Sequence, residues 1–191
     1  MHPAEHRGLR ELYVTGRQLR QHWRKLADRL DAVGAAADSA QILRAGSDET
    51  RALLHDLKDV TAARGLWGKP AAQGLGARIA GVRSALLDPT LEVSQALRFA
   101  ALDVQHVVTL LAYLARLAAH RGDDELESFL TAWELRMRIH EDAIRVAAIA
   151  GGDHPDEAIL PSTPGLGGRA AHGAAAKIGT AGEWFDGRSG R

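Results

Sequence analysis

The 191-residue chain is predicted to be all-α: a four-helix bundle of two antiparallel helical hairpins, joined by a long crossover with a short extra helix. Three observations predict this. Apolar residues recur at helical spacing through most of residues 9–150, and no convincing strand pattern interrupts them. The breaks between the four long stretches run short, long, short, and short breaks make antiparallel neighbours. After residue 150 the composition changes: half of the 20 glycines fall in residues 151–191. The bundle is therefore assigned to residues 1–150. Residues 151–191 are expected to form a Gly/Ala/Pro-rich disordered tail, because they bury too little apolar surface to offset their ordering entropy.

The first helix is predicted over Leu9–Val33, with Leu12, Leu19, Trp23, Leu26, Leu30 and Val33 on one stripe; Gly34 ends it. The second covers Ser39–Arg64, with Leu43, Leu53, Leu57 and Val60 inward and Gly65 as its stop. A connector, GLWGKPAAQGLG, precedes a short helix over Leu75–Leu87. Asp88 can cap the third long helix and Pro89 suits its first turn, where a missing N–H costs nothing. That helix is predicted to run to His120, with Leu97, Ala101, Val104, Val108, Leu111, Ala115 and Ala118 inward. Gly122 breaks it, Asp123 or Asp124 caps the fourth, and the fourth runs to about Ala150. Its apolar face holds Phe129, Leu130, Trp133, Met137, His140 and Ile144.

Composition narrows the function classes. Basic and acidic residues balance at 24 each, so no electrostatic footprint suggests nucleic acid or an anionic membrane. The absence of cysteine removes disulfides, thiolate metal sites and cysteine nucleophiles. The opening MHPAEHRGLRELYV lacks the apolar core of a signal peptide. Residues 99–119 come closest to a membrane span, but Asp103, His106 and Arg116 interrupt them. A soluble cytoplasmic protein is expected.

The order of several segments resembles the YciE-like branch of the ferritin-like superfamily, over about residues 9–150. LRELYVTGRQL is similar to the family's L-R-D-L-Y-x-A-E-K-Q-L, and ETRALLHDLKDV to its E-T-x-x-H-V-x-R-L-E-x-V. WGKP stands where the family often has G-x-K-P. GLGARIAGVRSALLDPTLEVSQALRFAA keeps its G-L…D-P…A-L-x-x-A-A rhythm, and VQHVVTLLAYLARLA resembles V-E-H-Y-E-x-A-x-Y. The resemblance implies a ferritin-like bundle. In metal-binding members, carboxylates from all four helices, with two histidines, would hold two metal ions in the core.

Carried over residue by residue, that ligand set is largely replaced. The helix-one glutamate falls on Gly16. The helix-two glutamate persists as Glu49, but its histidine position is Leu53. On helix three the two glutamates become Gln105 and Val108, and the neighbouring histidine matches His106. On helix four the acids should fall near Trp133–Met137, where Glu134 alone is acidic. No cofactor is expected; the competing expectation is iron or manganese held by Glu49, Gln105, Glu134 and His140. A half-set of ligands leaves buried charge uncompensated, so losing several together makes physical sense. The bland alternative for His140 is a neutral, hydrogen-bonded core histidine, since among Glu49, His55, His106, Glu134, His140 and Glu141 no Glu/His pair sits three or four residues apart as a helical metal site requires. His55 is expected in solvent.

His106 lies about 200° from Val104 and Val108, given about 100° per residue. It shares a second apolar stripe with Phe99, Leu102, Leu110, Tyr113 and Leu117. A helix apolar on two faces is buried on both. That second face is read either as a homodimer interface through His106 and Tyr113, or as a face covered by residues 75–87. Catalysis finds little support: no serine has a persuasive His/Asp partner, and GLG and GLGG lack a phosphate loop's context. The arginines of helix one, such as Arg17, Arg20 and Arg24, read as its solvated face. Near the C-terminus, Trp184 and Phe185 on a Gly/Ala-rich tether are a candidate docking peptide for a partner protein.

Overall fold

A computed structural model describes residues 2–34, 36–66 and 91–165, with the isolated positions 170 and 173. Four long helices dominate it: α1 (Pro3–Val33), α2 (Ala37–Ala63), α3 (Val93–His120) and α4 (Asp124–Ala150). Each pair α1/α2 and α3/α4 is joined by a short turn and packs together. α1 also packs on α3, and α2 on α4. The helices thus form a ring in the order α1, α2, α4, α3, with α2 and α3 at opposite corners. The predicted helix over 75–87, the Asp88 cap and Pro89 all lie outside the described residues.

α1 begins six residues before the expected Leu9. The His2 ring accepts a hydrogen bond from the Ala4 amide, and Pro3 takes the first turn. α3 begins at Val93, where Glu92 and Gln95 form a reciprocal capping box. Asp123 caps α4 by accepting from the Leu126 amide. Gly34 and Gly122 turn the chain with φ of 71° and 68°.

One apolar core runs through the bundle. Leu12, Trp23, Leu30, Leu43, Leu53, Leu57, Val104, Leu111, Leu130 and Ile144 are among its fully enclosed side chains. Trp23 sets the closest approach of the first hairpin. Its ring lies against Gly46 of α2, and its Nε1 donates to the Ala100 carbonyl of α3 at 3.3 Å. The indole thus fills a gap beside α2 and satisfies its one polar atom on α3.

The first part of the expected tail is folded. Gly151–Asp153 form a 3₁₀ turn and Pro155–Ala158 a short helix, α5. Residues beyond it bridge to the start of α3. The Val93 amide donates to the Leu160 carbonyl at 2.8 Å, and the Ser162 amide to Leu91 at 2.9 Å. Those hydrogen bonds, with Ser162 fully buried, hold the segment to the bundle where composition alone predicts disorder. Trp184 and Phe185 lie outside the described residues.

By length and hydropathy α3 meets the measure of a bilayer-crossing helix, despite Asp103, His106 and Arg116. In the bundle its apolar side chains are largely spent on α1 and α4: Val104, Leu111 and Ala118 are fully buried.

Candidate functional site

The four residues proposed as metal ligands do not converge. Glu49 of α2 accepts from the Arg136 Nε of α4 at 2.5 Å. The Arg136 guanidinium lies 3.8 Å from the Trp133 ring centre, so both the carboxylate and the aromatic face satisfy it. His140, one turn further along α4, is half-buried and senses both charges. Burial pushes its imidazole below the ordinary histidine value; Glu49 opposes that shift and Arg136 adds to it. Glu134 points to Arg138, four residues on, whose Nε donates to it at 3.0 Å. Gln105 is exposed on α3, away from the core position expected of a ligand. The reason is register: Val104, Val107 and Val108 take the buried arc of α3, which leaves Gln105 outside it. Among the described residues, no three His, Asp or Glu side chains group closely enough to share a metal ion.

The substituted ligand positions are ordinary core. Gly16 is buried, and a Cβ there would meet Leu54 at 3.2 Å and Thr50 at 3.8 Å. Leu53 is fully buried and Val108 nearly so. The residues present do not fit a di-metal centre. The two glutamates of the set already have cationic partners, Glu49 in Arg136 and Glu134 in Arg138.

His106 and Tyr113 occupy a face of α3 that is more open than the second-stripe reading requires. Tyr113 is 49% exposed and Leu102 56%. His106 Nε2 stands 3.4 Å from Glu11 of α1, itself in solvent. Leu110 alone of that stripe is buried, so it is not one continuous apolar face. Gln105 and Leu102 instead border a groove of about 740 Å³ between α3, α4 and α5. Ile149 and Ile159 supply apolar wall, and Arg98 and Arg145 supply charge.

No protein-family model matches the chain. No curated protein and no solved structure is significantly similar to it.

Three cross-bundle polar pairs escape sequence reading. His22 of α1 meets Asp103 of α3 at 2.6 Å. Arg64, at the end of α2, donates to both Asp123 oxygens at 3.0 and 2.9 Å. Glu5 of α1 is buried and accepts from Arg121 at the end of α3. The last two pairs tie all four helices at one end of the bundle. Their members are 59 and 116 residues apart, so no local spacing marks them. The one available cue is an acid at the predicted cap, Asp123, beside an arginine, Arg121.

Proposed function

We propose that this protein is a degenerate ferritin-like bundle that acts without catalysis, as a structural or interaction module. The observation that carries the reading is the pairing of Glu49 with Arg136. A ligand carboxylate needs metal charge in a ferritin-like core; here a guanidinium supplies it. The apolar filling around Gly16, Leu53 and Val108 supports the same conclusion. A soluble cytoplasmic location belongs to this reading. So does a protein partner; neither nucleic acid nor membrane is proposed as one.

The test is elemental mass spectrometry of protein purified without chelators from cells grown with iron and manganese. The expected result is less than about one metal per ten chains in a well-folded protein. Stoichiometric iron or manganese that disappears in Glu49→Ala or His140→Ala would overturn the reading.

A further inference from the structure

We infer that residues 183–186, EWFD, dock into the groove between α3, α4 and α5 of their own chain. Metal content does not bear on this contact, so it and the non-catalytic reading can fail separately.

The groove's 740 Å³ falls within the range of about 300–1,000 Å³ that suits a bound ligand, with room for two aromatic side chains. Leu102, Ile149 and Ile159 line it, three of the eight large apolar side chains exposed among the described residues. Arg98 and Arg145 stand in its lining, and Glu141 is the one acid there. These charges are not equally free. Arg145 has Asp142 within 3.5 Å, and Glu141 lies in the field of Arg138. Arg98 is exposed and pairs with no acid among the described residues. The groove therefore suits a bulky apolar group with a carboxylate beside it.

Two stretches of this chain outside the described residues adjoin the groove in sequence, and charge separates them. Residues 67–90 precede α3, which carries Ser94 and Arg98. They hold Lys69, Arg78 and Arg83 against Asp88, with Arg78 and Arg83 next to Ile79 and Val82. Like charge disfavours them beside Arg98. Residues 166–191 follow Gly165, six positions after Ile159 of the groove wall. Ser162, just before them, is tied through its amide to Leu91 at the start of α3. In residues 166–191 the only two acids, Glu183 and Asp186, flank the only two aromatics, Trp184 and Phe185. Two rings match the apolar wall, and a carboxylate at either side matches Arg98. Residues 166–182 connect the two parts, and 17 residues reach up to about 60 Å when extended. That exceeds the roughly 46 Å of the longest helix, α1, so the groove is within range. A tether of this length presents the peptide at about 1 mM. A peptide that binds at about 0.1 mM in isolation is then about 90% docked within its own chain.

The experiment titrates a dye-labelled peptide of residues 181–189 against two full-length chains, the parent and one carrying Trp184→Ala with Phe185→Ala. The double variant leaves the groove to the added peptide. It should bind the peptide at about 0.1 mM or tighter, and the parent about tenfold more weakly, because its own residues compete. Adding Arg98→Glu to the double variant should weaken peptide binding by about fivefold or more, with unchanged far-ultraviolet circular dichroism. Oxidation reads the contact within one chain, because the chain has no cysteine of its own. Ser94→Cys with Gly187→Cys should close an intrachain disulfide about tenfold faster than Gln41→Cys with Gly187→Cys. Gln41 is exposed on α2, at the corner of the ring opposite α3. Peptide binding that is equal in parent and double variant would overturn docking within the chain and leave the groove to another protein. Absence of binding to either, or binding indifferent to Arg98→Glu, would overturn the site. Equal oxidation rates would overturn the contact, and disulfide-linked dimers in place of the intrachain loop would reassign it to a second copy.

Discussion

Gly46 and Gly8 are both glycines at close helix contacts, yet they should respond differently to the same substitution. A Cβ on Gly46 would overlap the six-membered ring of Trp23, which is fully buried and held by its bond to Ala100. A Cβ on Gly8 would approach Leu114 Cδ2 at 2.6 Å, the far end of a flexible side chain. Replacing a helical glycine by alanine favours folding by roughly 0.5–1 kcal/mol, whereas overpacking costs about 1–3 kcal/mol. The rigid indole cannot move aside, so overpacking wins at Gly46. Gly46→Ala is expected to lose about 1–2 kcal/mol in urea unfolding, and Gly8→Ala to stay within about 1 kcal/mol of the parent. Trp23 and its stripe are legible from helical spacing. Gly46 is not, because nothing in its local sequence, ILRAGSD, tells which helix face an indole from another helix will cover.

At the scale of the element, the turn between α3 and α4 does two jobs with one side chain. Asp123 caps α4 through the Leu126 amide and binds the Arg64 guanidinium at the end of α2. Burial pushes its carboxyl up, but Arg64, the Leu126 amide and the Arg121 charge together hold it below the usual carboxylate range. Asp123→Ala removes the cap and leaves Arg64 without this partner. The expected loss is about 1–2 kcal/mol in chemical unfolding. Asp123→Asn, which can still cap, should recover part of it. The capping role is visible in the sequence, where an acid follows Gly122 and precedes an apolar periodic run. The Arg64 pairing depends on α2 and α4 sharing an edge of the ring. α4 shows a further limit of periodicity: its inward stripe was readable, while Leu135, Ile139, Val146 and Ile149 form an equally regular second stripe that spacing alone does not assign to bundle or solvent.

For the whole molecule, acid should act in two stages. His140 has a folded value below its unfolded value of about 6.5, so burial of the neutral ring contributes fully above that value. The contribution is lost as pH falls from there towards the folded value. Asp123 is also lowered, from 3.8, so its contribution is complete above that value and lost only on further acidification. Thermal unfolding followed from pH 8 to pH 3 should show a first decline in Tm starting near pH 6.5 that His140→Gln flattens. A second decline near and below pH 4 should be smaller in Asp123→Asn. An unchanged first decline in His140→Gln would assign it to another group.

The sequence by itself determined the helical class, the four long helices, their inward stripes and the short turns that make two hairpins. Those features follow from periodicity and from end residues such as Gly34, Gly122 and Asp123, and both act within a few residues. Tertiary structure decided which helices share an edge, and with it the pairing of Glu49 with Arg136, of His22 with Asp103 and of Glu5 with Arg121. It also placed Gln105 on the rim of a groove and anchored residues 160–162 to the start of α3. A helix repeat specifies where a side chain points relative to its own axis. What stands opposite is set by packing, through contacts between residues far apart in the chain, and the chemistry of this molecule lies in those contacts.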